Sequence, residues 1–388
     1  MAPRPNRYAL IMLIVVALIG LGYLIYKSSP DANTPQSQLT DNNGNATTTS
    51  TGDQTSDTSK PVVLAQDLDI PWEVAFIEED GFLVTERPGH LVRITSDGRR
   101  LITVDGVRPT GEGGLLGLAL HPKYKENGYI YLYLTSESGT QVVNRVERYK
   151  YDDSRNQLSD RKVIISDIPG SRNHDGGRIA FGPDGNLYIA TGDAGNSSLA
   201  QDRNSLAGKI LRVHDDGTVP DDNPFGSPIW TYGHRNPEGL AWDGEGRMWA
   251  TEHGRSGAQS GLDELNLIVK GNNYGWPDIE GDQMKEGMQN PVINSGEKST
   301  WAPAGLAYLN GRLFFGGLRG EALYSVSVSG DGRVSDFKTH YQGLFGRIRA
   351  VVAWDGELYI TTSNRDGRGA EKEGDDKVIR LPLDELFN

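Results

Sequence analysis

Six short segments of this chain repeat one another. Val74-Ala75-Phe76, Leu118-Ala119-Leu120, Ile179-Ala180-Phe181, Leu240-Ala241-Trp242, Leu306-Ala307-Tyr308 and Val352-Ala353-Trp354 each read apolar, alanine, apolar. Each is followed by a short turn, a glycine and a second apolar run such as Leu187-Tyr188-Ile189-Ala190 or Leu358-Tyr359-Ile360-Thr361. The units recur every forty-odd to sixty-odd residues, about one four-stranded blade plus loops. Six of them predict an all-β, six-bladed β-propeller. A chain of 388 residues could hold two average domains, but propellers reach this size as one. The 49 glycines and the scarcity of helical periodicity also favour turn-rich β structure over alternating α/β.

Composition narrows the partners. A net charge of −13 argues against nucleic acid, because phosphate binding needs a basic face. With no cysteine, disulfides, thiol nucleophiles, cysteine-held zinc and a lipoprotein anchor are excluded. Arg4 and Arg7 precede an uncharged apolar run from Tyr8 to Tyr26, and Lys27 follows it. Residues 1–27 therefore read as a signal-anchor or a cleaved signal peptide, with the remaining chain outside the cytoplasm, periplasmic or extracellular. Residues 28–60 are almost wholly polar and read as a disordered tether. The propeller is expected over 61–388.

Polar clusters stand just upstream of the triplets, so a propeller would bring them to one mouth of its channel. They include Gly111-Glu112-Gly113-Gly114, Asn173-His174-Asp175-Gly176-Gly177-Arg178, Tyr232-Gly233-His234-Arg235-Asn236-Pro237-Glu238, Trp301-Ala302-Pro303 and Arg347-Ile348-Arg349. His174 has the company a general base needs. His234 reads as a residue packing a turn, His90, His121, His214 and His340 as structural, and His253 is open. Arg178, Arg235, Arg319, Arg347 and Arg349 converge in an acidic protein, and buried guanidinium groups need anions. Those anions are either local carboxylates or a polyanionic ligand. Thr251-Glu252-His253-Gly254-Arg255, Asp263-Glu264 and Asn272-Asn273-Tyr274 offer oxygens that suit calcium; the competing reading is a helix cap at Asp263.

Together these motifs, from about Val62 to Leu383, resemble the soluble aldose sugar dehydrogenases that depend on pyrroloquinoline quinone (PQQ), the glucose/sorbosone dehydrogenase family. The family fold is a six-bladed propeller, as the repeats require. The resemblance implies oxidation of the C1 hydroxyl of an aldose to a lactone, with electrons passed to a quinone or another acceptor. It implies His174 as general base, and Arg235 with Asn236 on the quinone oxygens. It assigns Arg319, Arg347 and Arg349 to the cofactor carboxylates and Trp301 to stacking on the cofactor. Backbone carbonyls of Gly254 and Arg255 would hold one Ca2+, and Glu264 with Tyr274 another. Glu112 stands where the family often has glutamine, and Ala194 replaces a polar residue of the glucose-specific branch, implying looser substrate binding. The insertions of dimeric members are not evident, so a monomer is expected. Two other readings are a calcium-stabilised binding propeller without catalysis and a calcium-dependent lactonase. A base beside an anion clamp favours the dehydrogenase over the first, and arginine-rich channel loops favour it over the second.

Overall fold

The computed structural model describes residues 59–78 and 81–387. The expected N-terminal helix and most of the tether lie outside these residues. Among the described residues no helix is long and apolar enough to cross a membrane.

Six four-stranded antiparallel sheets form the six expected blades. Every triplet lies on the innermost strand of its sheet: Pro71–Glu78, Leu115–Leu120, Ile179–Phe181, Pro237–Trp242, Pro303–Leu309 and Ile348–Trp354. The second apolar runs form the next strands outward, for example Leu187–Thr191 and Glu357–Thr362. In the third blade the hairpin pairs Phe181 with Leu187. Its Pro183-Asp184-Gly185 turn works because Gly185 takes φ +76° and Asp184 Oδ1 accepts the Asn186 N–H at 3.1 Å.

The triplets have a common purpose. Adjacent inner strands pack around the axis, and Val74, Ala119, Ala180, Ala241, Ala307 and Ala353 help line a cavity of about 370 Å3 there, together with Glu73 and Arg178. Larger residues pack between sheets, where Tyr131, Tyr133, Trp249, Phe314 and Phe315 are fully buried. Close approach of inner strands needs glycine: a Cβ on Gly239 would overlap Thr251 Oγ1 and press on the Ala304 carbonyl.

The ring is closed by the N-terminal strand. Val62–Ala65 pairs antiparallel with Val378–Leu381 and completes the sixth sheet outside Glu357–Thr362 and Ile348–Trp354. Removing the chain through Ala65 should leave Val378–Leu381 as a bare edge. We expect the thermal midpoint to fall by about 3 °C or more, read by calorimetry on the two forms; an equal midpoint would show that this strand adds nothing to closure.

Candidate active site

Where the chain enters the inner strands, the loops surround a second cavity of about 360 Å3. Glu112, Asn173, His174, Arg235, Asn236, His253, Arg319, Arg347 and Arg368 line it, with Arg255 to Gly257 and Thr300 at its side. Most of the residues singled out in the sequence therefore meet. Two do not. Trp301 lies in the fifth blade's aromatic cluster, its ring 5.5 Å from Phe337 and stacked at 22°. Arg349 is buried and absent from the lining.

His174 is held from several sides. Its backbone takes φ +61°, a conformation that costs a non-glycine residue about 1 kcal/mol or more. The strain is stabilised by its N–H, which donates to Glu112 Oε2 at 2.8 Å, and by its carbonyl, which accepts the Ala194 N–H at 3.1 Å. Gly192 is required beneath it, because a Cβ there would run into the His174 carbonyl and crowd Asn236 Oδ1. His174 Nδ1 lies 2.7 Å from Asp193 Oδ1. The other Asp193 oxygen accepts the Trp276 indole N–H at 2.8 Å. Burial by itself would raise the Asp193 carboxyl, but the hydrogen bond and charge of His174, with Trp276 and the Gly195 N–H, hold it below the usual range. Nε2 of His174 has no protein partner among the described residues.

The arginines divide into two groups. Arg347 Nη2 donates to Asp366 Oδ2 at 2.7 Å, Arg349 Nη1 to Glu238 Oε2 at 2.9 Å, and Arg178 pairs with Glu73. Each of these three thus has a local carboxylate partner, although the buried Nη2 of Arg178 has none. Arg235 and Arg319 pair with no carboxylate among the described residues. Arg235 Nη2 donates to Ser256 Oγ at 2.8 Å while its buried Nε has no partner, and Arg319 donates only to the Gly257 carbonyl at 3.3 Å. Two cations at one cavity with unspent charge suit an anionic ligand.

Glu238 underlies the cavity. It accepts from Asn236 Nδ2 at 3.1 Å and lies 3.4 Å from His253 Nε2. Burial would raise its carboxyl, but His253, Arg349 and Arg178 hold it down at about 2. His253, open in the sequence, therefore belongs to the site, whereas His234 is a packing residue as expected, between Thr231 and Glu252 with its ring on Tyr274.

Asp263 is not a helix cap, since the strand Glu264–Ile268 follows it. Its carboxylate instead gathers the N–H groups of Gly254, Trp301 and Ala302 and the Thr300 hydroxyl, at 2.7 to 2.9 Å. The Arg255 carbonyl already accepts the Gly261 N–H at 3.4 Å, and its guanidinium pairs with Glu280 at 2.8 Å. Beside them, Glu252, Gly254, Glu264 and Tyr274 border a cavity of about 10 Å3, room for one small sphere. Burial and the charge of Glu252 push the Glu264 carboxyl up to about 8. Two carboxylates, Glu252 buried and Glu264 half-buried, around so small a space fit a cation with oxygen ligands. Among the described residues no three His, Asp or Glu side chains form a cage of their own, so backbone carbonyls would complete such a set.

Sequence reasoning passed over Asp193, Asp366 and Arg368 as site residues. Asp193 had a faint signal, a carboxylate at the end of Leu187–Thr191 between glycine and alanine. Asp366 and Arg368 had none, lying in an irregular loop.

A propeller that presents a carboxylate-oriented imidazole to a cation-lined mouth has the layout of an enzyme acting on a small molecule beside an anionic group. Residues 68–371 match the model of the Glucose / Sorbosone dehydrogenase family. The chain is 32% identical over 342 residues to the aldose sugar dehydrogenase YliI of Escherichia coli, covering 79% of this chain and 90% of that one. It is 33% identical over 254 residues to quinoprotein glucose dehydrogenase B of Acinetobacter calcoaceticus, covering 56% and 52%. The PQQ-bound aldose sugar dehydrogenase of Streptomyces coelicolor superimposes with a TM-score of 0.77 at 40% identity, over 83% of this chain and 98% of that one. The chain belongs to the glucose/sorbosone dehydrogenase family.

One carboxyl next to His174 gives the site a pH signature. Asp175 is buried, with Oδ1 accepting from Asn144 Nδ2 at 2.9 Å and from the Ser171 N–H at 3.1 Å, and Oδ2 unpartnered. Burial pushes it up to about 7 from the usual 3.8, helped by the charges of Glu112 and Glu238. A folded-state value above the unfolded one adds stability at low pH that is lost as pH rises toward and through 7. Asp175→Asn should flatten this part of the stability profile, a change on the order of a few kcal/mol between pH 4 and 8. Urea titrations of both proteins across that range provide the check; parallel profiles would refute it.

Proposed function

We propose that this chain is a PQQ-dependent sugar dehydrogenase that oxidises the C1 hydroxyl of aldoses to lactones. The observation that carries the reading is the His174–Asp193 pair at a cavity where Arg235 and Arg319 have charge to spare. The orphaned Nε of Arg235 supports the fit of an anionic cofactor to the residues present. When bound, PQQ supplies the hydride acceptor. His174 does the proton chemistry: Asp193 takes the hydrogen bond from Nδ1, leaving Nε2 as the basic nitrogen that receives the C1 hydroxyl proton. Arg235 and Asn236 would hold the quinone oxygens, where the Arg235 guanidinium would favour negative charge. Asn236 is itself held by Glu238 Oε1 and by the Gly176 N–H, which donates to Asn236 Oδ1 at 3.0 Å. Arg319 and Arg347 face the cofactor carboxylates, and Arg349 acts from behind through Glu238. The electron acceptor is a quinone or a small carrier, and the monomer expected from the sequence belongs to the same proposal. So does placement outside the cytoplasm on an N-terminal anchor, which rests on Arg4, Arg7 and the run from Tyr8 to Tyr26.

The test is reconstitution. Apo-protein given PQQ and Ca2+ should reduce a dye in the presence of aldoses and release the lactone. His174→Ala should lower kcat by about 10²- to 10⁴-fold, with Asp193→Asn also impaired because the imidazole loses its orientation. A folded protein that does not bind PQQ would overturn the reading.

Calcium completes the proposal: one ion would be held by the Gly254 and Arg255 carbonyls on the cavity side, and another by Glu264 and Tyr274 with Glu252 beside them. Calcium at 100 times its dissociation constant should stabilise the protein by about 2.7 kcal/mol. Melting curves with and without chelator read this, and Glu264→Gln should abolish the difference. A wild-type midpoint indifferent to calcium would remove the ion from the account.

A further inference from the structure

One bond spans the channel mouth and has no part in the chemistry above. Glu112 precedes the inner strand of the second blade. Arg368 lies in the sixth blade, in the loop between Glu357–Thr362 and Val378–Leu381. Arg368 Nη1 donates to Glu112 Oε1 at 2.7 Å, across 256 positions of sequence. Both side chains line the cavity. Arg368 is itself placed by its backbone N–H, which donates to Asp366 Oδ1 at 2.9 Å, while Arg347 occupies Asp366 Oδ2.

Glu112 has a structural task that any acceptor could perform, receiving the His174 N–H through Oε2. An amide would do this without charge. The carboxylate brings a negative charge to the wall of a cavity that otherwise collects cations; burial and Glu238 oppose its ionisation, but the His174 N–H and the hydrogen bond and charge of Arg368 outweigh them and hold it below the usual range. Asp263, the other acid in the lining, is surrounded by four donors and has no such difficulty. Among the described residues Arg368 is the side chain that answers Glu112, since Arg87 lies near it but donates no hydrogen bond to it.

We propose that Arg368 is a charge-neutralising residue of the cofactor site, paired with Glu112 so that a wall containing a carboxylate admits a polycarboxylated quinone. The inference rests on the PQQ reading above. Its signature is coupling. Removing Arg368 leaves Glu112 facing an anion, whereas removing both charges restores a neutral wall that still accepts the His174 N–H.

The experiment is a PQQ titration of apo-protein in calcium, followed by calorimetry or fluorescence quenching, for wild type, Arg368→Ala, Glu112→Gln and the double variant. Arg368→Ala should bind PQQ about tenfold or more weakly. Glu112→Gln, which frees the Arg368 charge, should bind PQQ at least as tightly as wild type, and the double variant should stay within about threefold of wild type. Unchanged affinity in Arg368→Ala overturns the inference, and so does a double variant as weak as Arg368→Ala, because the loss would then owe nothing to Glu112. Thermal unfolding of each apo-protein separates weak binding from poor folding; if Arg368→Ala does not fold, Arg368→Gln takes its place in the same comparison. Wild type that fails to bind PQQ sinks the cofactor reading and this inference together. Wild type that binds without coupling sinks this inference alone.

Discussion

Glu238 is the carboxylate on which the centre of the ring depends. It accepts from Arg349 of the sixth blade and Asn236 of its own, and its backbone carbonyl accepts Arg178 Nε from the third at 2.8 Å. Arg178 and Arg349 both face the ring of Trp72 from the first blade, at 4.2 and 5.7 Å. Asn236 and His253 border the functional cavity, and Glu73 and Arg178 border the axial one, so the charges form a layer between the two. Such a layer is costly to desolvate, and losing one partner of a buried pair typically costs about 3–5 kcal/mol. Its effect is positional: four blades are tied to one point directly beneath Asn236 and His253.

Around this rigid centre the backbone is strained at the site itself. Among non-glycine residues with positive φ, His174 and Ala302 border the functional cavity, Leu262 borders the small one, and Ala194 is bonded to His174. Left-handed conformations at such residues persist only where neighbours over-determine them. The neighbours are identifiable: Glu112 and Ala194 hold His174, and Asp263 binds the Ala302 N–H. Carboxylates that line the cavity thus also stabilise the strained backbone around it.

The architecture could be read from the sequence because all six inner strands face the same demand, a small residue between two apolar ones beside a crowded axis. His174, Arg235 and Asn236 were legible because each stands just before such a triplet. Their anchors were less so. Asp193 looks like part of a turn until the fold brings its carboxylate to an imidazole 19 positions away. Arg368 meets Glu112 only because the ring closes, and nothing local in an irregular Gly- and Asp-rich loop foretells that. Trp301 misled for the converse reason. Its position before a triplet suggested the mouth, but the neighbouring Phe315, Tyr324 and Phe337 offered its indole a larger apolar surface in the blade.

The closing strand carries a mechanical implication. Any tension transmitted through the chain preceding Val62 falls first on four residues paired with a single neighbour. Beyond them, Asp67 and Leu68 donate to the carbonyls of Gly374 and Asp376, at the base of the loop that carries Asp366 and Arg368. A pull at that end would therefore peel the seam and then tug on the loop at the rim of the functional cavity, leaving the other five blades to feel the force last. The ring has a fuse, and it sits next to the site.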